Sequence, residues 1–189
     1  ETSSVETDTS AARLAAFSDT VSFRYARGVR VEYLEDGIHV YISNPDPSVR
    51  VKREEHIVVR HPAKRFICTT ALQLGNFEKL GLEDKIVGIN SLRNLFSPRV
   101  KAQMRSGKTV KIGKEGNFDL ETVIAARPDY IFVSASKHGG FESLKECGIP
   151  LISHHGYKET NPLGQAEWIK LIGLLTGEVR RANAAFAVI

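Results

Sequence analysis

The chain has 189 residues, 42% of them apolar and 25% charged, with a formal net charge of +4 and a pI near 9.1. That length suits one domain able to bury roughly two-thirds of its unfolded surface, and no apolar run approaches the roughly 18 residues of a membrane span. Basic residues are dispersed, and the densest stretch, residues 50–65, also carries Glu54 and Glu55. This is not the pattern of a nucleic-acid binder, which gathers its cations on one face with aromatics between them.

Residues 1–16 form a polar leader with little to bury, expected to be disordered and suited to a chain cut just behind an export signal. Residues 17–62 read as β-structure. Two alternating runs, 29–34 and 38–43, flank Glu35-Asp36-Gly37, a strong hairpin signal. Asn44-Pro45-Asp46-Pro47 breaks the pattern, and EHIVVR (residues 55–60) resumes it. The expectation is an antiparallel hairpin that precedes the main body of the chain.

From residue 63 short apolar runs alternate with helical stretches. RFICTT, KIVGIN, TVKIG, DYIFVSA and IPLISHH read as strands; ALQLGNFEKLG, residues 98–105, FDLETVIAARP and GFESLKECG read as the helices between them. Such alternation predicts crossover units: an α/β fold, a three-layer lobe with a mainly parallel sheet. Gly81 and Gly148 fall just past helix ends, where a left-handed residue is wanted. Residues 163–189 form the longest helical pattern, opening after Asn161-Pro162 and open to a kink at Gly177. The chain then stops on Phe186-Ala187-Val188-Ile189 without a cap, so this end reads as cut, with Phe186 and Ile189 expected to lack partners inside the lobe. Cys68 and Cys147 read as buried free thiols.

Three segments in this order resemble the two-lobed solute-binding proteins of ABC importers that carry cobalamin, ferric siderophores or haem, and whose lobes are joined by one long helix. KIVGIN resembles that family's second strand. GNFDLETVIAARPDYIFVS (residues 116–134) resembles its most specific segment, and ETNPLGQAEWIKLIGLLTG (159–177) resembles the approach to the inter-lobe helix. The β-structured preface is similar to members from the Bacteroides group. The resemblance implies a ligand-binding lobe over residues 63–162 and the start of the inter-lobe helix over 163–189, with the second lobe beyond this chain. It implies a carrier and not an enzyme, with no intrinsic cofactor and with a metal chelate (ferric siderophore, corrinoid or haem) as ligand. The partner would be an ABC permease, at the periplasm or cell surface, and the membrane would be met only through a lipid anchor upstream of residue 1.

Ligands bind beyond the carboxyl ends of strands in an open parallel sheet. The residues expected there are Thr69, Thr70, Ser91, Glu115 (beside Lys114), Ser136, His154, His155 and Tyr157; polar strand–helix loops would also arise from backbone solvation alone. His154 and His155, adjacent after a strand, should point opposite ways. With the Tyr157 phenolate they suit a metal or haem iron, though ordinary loop histidines fit equally. Glu121 sits in the first turn of a helix, which favours an acid. The resemblance of Asp119-Leu120-Glu121 and Arg127-Pro128-Asp129 to the family's docking segment further implies that Glu121 meets arginines of the permease. Trp168 is expected to pack its helix onto the lobe.

Two apparent motifs fail on context. Ser106–Thr109 (SGKT) imitates the end of a phosphate loop, but Ala102 stands where the first glycine belongs and a strand follows instead of a helix. Ser134, Ser136 and His138 have neither a nucleophile elbow nor an orienting acid. The alternative function is a doubly wound enzyme acting on a phosphorylated or nucleotide ligand; CTTALQLG lacks the glycines such a site requires.

Overall fold

The computed structural model describes residues 20–90, 95–134 and 140–189. The alternating preface folds as an antiparallel sheet of β1 (Val29–Leu34), β2 (Gly37–Ile42) and β3 (Glu55–Val59), in that spatial order. The hairpin expectation is therefore extended by a third strand. Ile38, Val40 and Ile42 of β2 are buried, while His39 and Tyr41 take the opposite face, as a period of two requires.

The main sheet has β10 (Leu151–Ser153), β9 (Tyr130–Val133), β4 (Phe66–Cys68), β5 (Ile86–Ile89) and β6 (Val110–Lys111) in that order, and every neighbouring pair is parallel. β4 comes first in the chain and lies in the middle, so the order of connection reverses beside it, between β4 and β9. Helices cover both faces. Phe66, Cys68, Phe132 and Ile152 share one core with Leu74 and Phe77 of α1 (Ala71–Lys79) and Val100 of α2 (Pro98–Arg105). On the other face Ile67, Val87, Ile131 and Val133 meet Val123 of α3 (Leu120–Ala125) and Leu144. Leu144 lies in a 3-10 turn, Glu142–Cys147, where the sequence suggested a helix. A small hairpin, β7 (Gly113–Lys114) and β8 (Asn117–Phe118), was not expected and precedes α3. Cys68 and Cys147 are both free; Cys68 is buried as expected, whereas Cys147 is only half-buried, and burial pushes both thiols' pKa values up.

The region after residue 161 differs from one continuous helix. It forms α4 (Pro162–Glu167), α5 (Ile169–Thr176) and α6 (Val179–Ala187). A tightened bond from Leu171 N to Trp168 O, 3.1 Å, interrupts the ladder at Trp168. Gly177, at φ +75°, closes α5 in the left-handed conformation, as Gly81 and Gly148 do for the elements before them. All eight residues of α5 are buried: six are apolar or glycine, and Lys170 and Thr176 are hydrogen-bonded. It shares its core with α1 and with the inner residues Val40, Ile42 and Val59 of the antiparallel sheet. α6 folds back so closely that a Cβ on Gly173 would lie 2.3 Å from Ala182 Cβ. Ile189 is exposed as expected, whereas Phe186 packs against Tyr25 and beneath the Lys170 ammonium.

Two buried carboxylates fasten the chain's beginning to this helical end. Glu159 Oε1 accepts from the backbone N–H of Arg27 and Gly28, each at 2.9 Å, and from Trp168 Nε1 at 3.0 Å. Glu167 Oε1 accepts from the N–H of Tyr25 and Ala26, at 2.8 and 2.9 Å, while its Oε2 receives Lys170 Nζ at 3.0 Å. Lys170 also donates to Ser22 O at 2.9 Å, so this buried cation is shared between a carboxylate and backbone. At Gly28 a Cβ would come within 2.7 Å of both Ser43 O and Trp168 Cζ2, so only glycine lets the segment pass.

Removing the Glu159 carboxylate leaves three donors without their acceptor, each costing about 1–3 kcal/mol where water is excluded. Glu159→Ala is therefore expected to lower the unfolding free energy by about 3 kcal/mol, and Glu159→Gln, which keeps one acceptor oxygen, by clearly less. Urea unfolding followed by Trp168 emission reads both, and a loss below about 1 kcal/mol in the alanine variant would contradict this role.

Candidate functional site

The strand directions bring the ends of β4, β5, β6, β9 and β10 to one edge of the main sheet, with the connection reversal at its centre. Thr69 and Thr70 lie there, but both hydroxyls are engaged in the fold. Thr69 is buried; its Oγ1 donates to Phe132 O at 2.8 Å and so ties β4 to β9 across the reversal. Thr70 caps α1: Gln73 N donates to its Oγ1, and Gln73 Oε1 accepts from the N–H of both Thr70 and Thr69. This reciprocal box occupies the helix N-terminus that a phosphate would need, which weighs against the nucleotide-enzyme alternative. Asn90 Nδ2 donates to Thr69 O at 2.6 Å, so the side chain at the end of β5 braces the same loop.

His154 and His155 do not point opposite ways. The strand ends at Ser153, and His155 has already left extended backbone (φ −96°, ψ 16°), so alternation no longer applies. Both rings turn onto Trp168, at centroid distances of 4.9 and 6.2 Å. His154 Nε2 lies 3.3 Å from Asn76 Nδ2, and its ring meets Phe132 edge-on. Trp168 is fully buried, which agrees with the packing role expected for it. Burial lowers the pKa of each histidine to about 4, so both imidazoles are neutral at physiological pH. Among the described residues no group of three or more histidine, cysteine, aspartate or glutamate side chains is arranged to hold a metal.

What remains at the crevice edge is more exposed. Tyr157 is 42% exposed and its hydroxyl is 3.4 Å from Ser134 Oγ. Lys114 and Glu115 stand at the tip of the β7–β8 hairpin, and Gly116 N donates to Gly140 O at 3.1 Å to anchor that tip. Glu115 crosses Gly140 closely; a Cβ there would lie 2.2 Å from Glu115 Cγ. Phe96, 81% exposed just before α2, and Leu72, 45% exposed in the first turn of α1, face the same end. Sequence reasoning missed these two; an aromatic directly before a Ser97-Pro98 helix start was the available signal for Phe96. Ser91 and Ser136 lie outside the described residues.

Glu121 is exposed in the first turn of α3, directly after the N-cap Asp119, whose carboxylate accepts from Thr122 N and Oγ1. Asp119 N donates to Ile112 O, just past the end of β6, which puts Glu121 at the crevice end of the sheet. The outer edge of β10 is a separate feature. Glu55 of β3 accepts from Ser153 N at 3.0 Å and from its hydroxyl, and beside it runs a groove of about 850 Å³ lined by Val49, Arg53, Lys145 and Leu151.

A family model described as periplasmic binding protein matches residues 67–189, well over half of the chain. The chain belongs to that family. An uncharacterized lipoprotein of Methanocaldococcus jannaschii is 22% identical over 139 residues, covering 68% of this chain and 33% of the relative. The petrobactin-binding protein YclQ of Bacillus subtilis superposes with a TM-score of 0.54 at 18% identity, over 78% of this chain and 49% of that one. The siderophore-binding protein BauB, solved with acinetobactin and ferric iron, gives 0.56 at 14% identity, over 78% and 50%. PiuA of Streptococcus pneumoniae, an iron-uptake ABC transporter substrate-binding protein, gives 0.55 at 15%, over 77% and 48%. At these identities the structural likeness speaks for the fold. The chain spans about half the length of these solved relatives and a third of the lipoprotein. The family is one of binding proteins.

The histidine pair yields a pH dependence with a defined sign. An unfolded histidine takes up a proton near pH 6.5, whereas these two resist it until about pH 4. Between those values the unfolded chain holds more protons, so stability falls as pH drops through the window, by about 2 kcal/mol per histidine at pH 5. Glu167, whose buried carboxylate is opposed by desolvation but held below the usual range by the N–H donors and Lys170, keeps its contribution above its ordinary pKa near 4.5 and loses it only as the pH falls further. Denaturant unfolding at pH 7 and pH 5 measures the difference, and equal stabilities would contradict neutral burial of the pair.

Proposed function

We propose that this chain forms one wall of the ligand cleft of an extracytoplasmic substrate-binding protein, which hands a metal chelate (a ferric siderophore, a corrinoid or haem) to an ABC permease. The observation that carries this reading is the surface at the crevice end of a parallel sheet in a binding-protein family. There Phe96, Leu72 and Tyr157 expose apolar area, the Tyr157 hydroxyl meets Ser134, and the Lys114–Glu115 tip adds charge. Aromatic faces accept the flat or ring-rich surfaces of such chelates, and a few polar groups orient them. The relatives named for petrobactin, acinetobactin and iron uptake support the chelate class.

The lipoprotein relative supports a location outside the cytoplasm, with a lipid anchor upstream of residue 1 as the membrane contact. No helix among the described residues is long and apolar enough to cross a membrane. In this reading Glu121 docks on permease arginines. Its exposure, and its place at the end where ligand would be released, suit that contact. Ser91, Glu115, Ser136 and Tyr157 remain the proposed ligand-facing set, with Thr69, Thr70, His154 and His155 acting from beneath as the support that holds the loops.

Separating capture from delivery tests the docking role. Glu121→Arg would set like charges against the permease, while an exposed carboxylate adds little to the fold. In the full-length protein the variant is expected to keep its melting temperature and chelate affinity and to lose most chelate delivery. Normal delivery by the variant would contradict docking, and lost chelate affinity would move Glu121 into the cleft.

A further inference from the structure

The edge of the main sheet opposite β10 carries a charge that the crevice does not use. Residues 98–114, which run from α2 through β6 into the β7–β8 hairpin, hold six cations and no acid. Residues 50–65 hold as many, but with Glu54 and Glu55 among them. Arg99 is spent within the fold on Glu83, at 2.9 Å. Lys101, Arg105, Lys108, Lys111 and Lys114 are all exposed, and among the described residues none of them has a carboxylate within ion-pair distance.

The fold gathers the central four on one side. Val100 and Gln103 turn the inner side of α2 to the core, and Lys101 and Arg105, four residues apart, share its outer side. Like charges at that spacing repel, so the helix gains nothing from the pair. Val110 packs on the α3 side of the sheet, and alternation therefore sends Lys111 to the α2 side. Lys108 stands in the turn between α2 and β6. Gln103 Nε2 makes the frame rigid, donating to Glu83 O at 2.9 Å and to Thr109 Oγ1 at 3.0 Å. A lysine on an edge strand also guards against strand pairing. That accounts for Lys111 and leaves the cations of the helix and the turn unexplained.

We propose that this face rests on an anionic phospholipid surface. The cations are strung along a helix and the strand beside it, which suits an array of separate negative charges better than one small anion. Residues 98–114 contain no aromatic side chain on which bases could stack, which weighs against a nucleic acid. The inference draws on the proposed function at one point only, the lipid anchor that would hold the chain beside a bilayer. A basic patch adds a second contact to such an anchor and sets how the lobe faces the membrane. α3, with Glu121, covers the other face of the sheet, so bilayer and permease contacts use different surfaces.

Vesicles test the face without chelate or permease. The full chain is sedimented with vesicles of three parts phosphatidylcholine to one part phosphatidylglycerol, and with phosphatidylcholine alone. Binding to the first and not to the second is expected. Each cation near an anionic surface adds about fivefold to partitioning, so the double variant Lys101→Gln, Arg105→Gln should bind about twenty-fivefold more weakly. The double variant Lys52→Gln, Arg53→Gln loses the same charge beside β10, at the opposite edge, and should bind nearly as the wild type does. Raising the salt from about 0.1 M to about 1 M shortens the screening length from about 10 Å to about 3 Å and should release the chain. All four positions are exposed, and circular dichroism checks that both variants fold. Equal binding to neutral vesicles, no binding to anionic ones, or equal loss in the two double variants would overturn the inference. Capture by immobilised polyglutamate with none by anionic vesicles would also overturn it, in favour of an acidic protein. A chain that binds anionic vesicles but no chelate would keep this inference while losing the proposed ligand.

Discussion

Two buried carboxylates, Glu159 and Glu167, decide how this fold closes. A glutamate hidden from water is tolerable only when its oxygens are fully engaged. Here the engagement comes from backbone N–H groups of residues 25–28, far away in the chain, together with Trp168 and Lys170. The carboxylates therefore dictate where the segment leading into β1 must lie. Once it lies there, the antiparallel sheet is delivered to the far side of α5. That helix becomes enclosed on every side, which its apolar residues favour and the pairing of Lys170 with Glu167 allows. Losing an acceptor would leave donors stranded and would also release the sheet that covers the helix.

The same node supports the crevice. Trp168 donates to Glu159 and packs against the rings of His154 and His155, and those histidines begin the loop that carries Tyr157 to the surface. Across the connection reversal, Thr69 holds β9 through Phe132 O, and Asn90 braces the Thr69 carbonyl. The polar residues nearest the strand ends thus act as a rigid base. In the proposed reading, the surface offered to a ligand is built by Phe96, Leu72, Tyr157 and the β7–β8 tip. A rigid base with exposed aromatic and hydroxyl groups on loops is the division of labour expected of a binding protein.

The parallel architecture was legible because it rests on local signals. Alternating runs, the Asp36-Gly37 turn, and the Ser97-Pro98 and Asn161-Pro162 helix starts each declare themselves within a few residues. What escaped was non-local or very short. The buried roles of Glu159 and Glu167 left no local trace, since their backbone donors lie 131–142 residues away. The β7–β8 hairpin has strands of two residues each, too short to show alternation. The histidine pair was expected to diverge because extended backbone was carried two residues too far. Among the site residues proposed from sequence, a hydroxyl at a strand end gave no sign that Thr69 is already bonded to Phe132 O, a partner 63 residues away.

A chelate cleft is tested most directly through Trp168, the single tryptophan of the chain, whose buried ring lies beneath the crevice loops. Ferric catecholate, ferric hydroxamate, corrinoid and haem all absorb near its emission and quench it when bound within energy-transfer range. Titration of each into the full-length protein should give saturable quenching by one class, weakened in Phe96→Ala and in Tyr157→Ala while the melting temperature holds. No saturable quenching by any of the four, or quenching unaffected by both substitutions, would contradict a chelate cleft at this edge of the sheet.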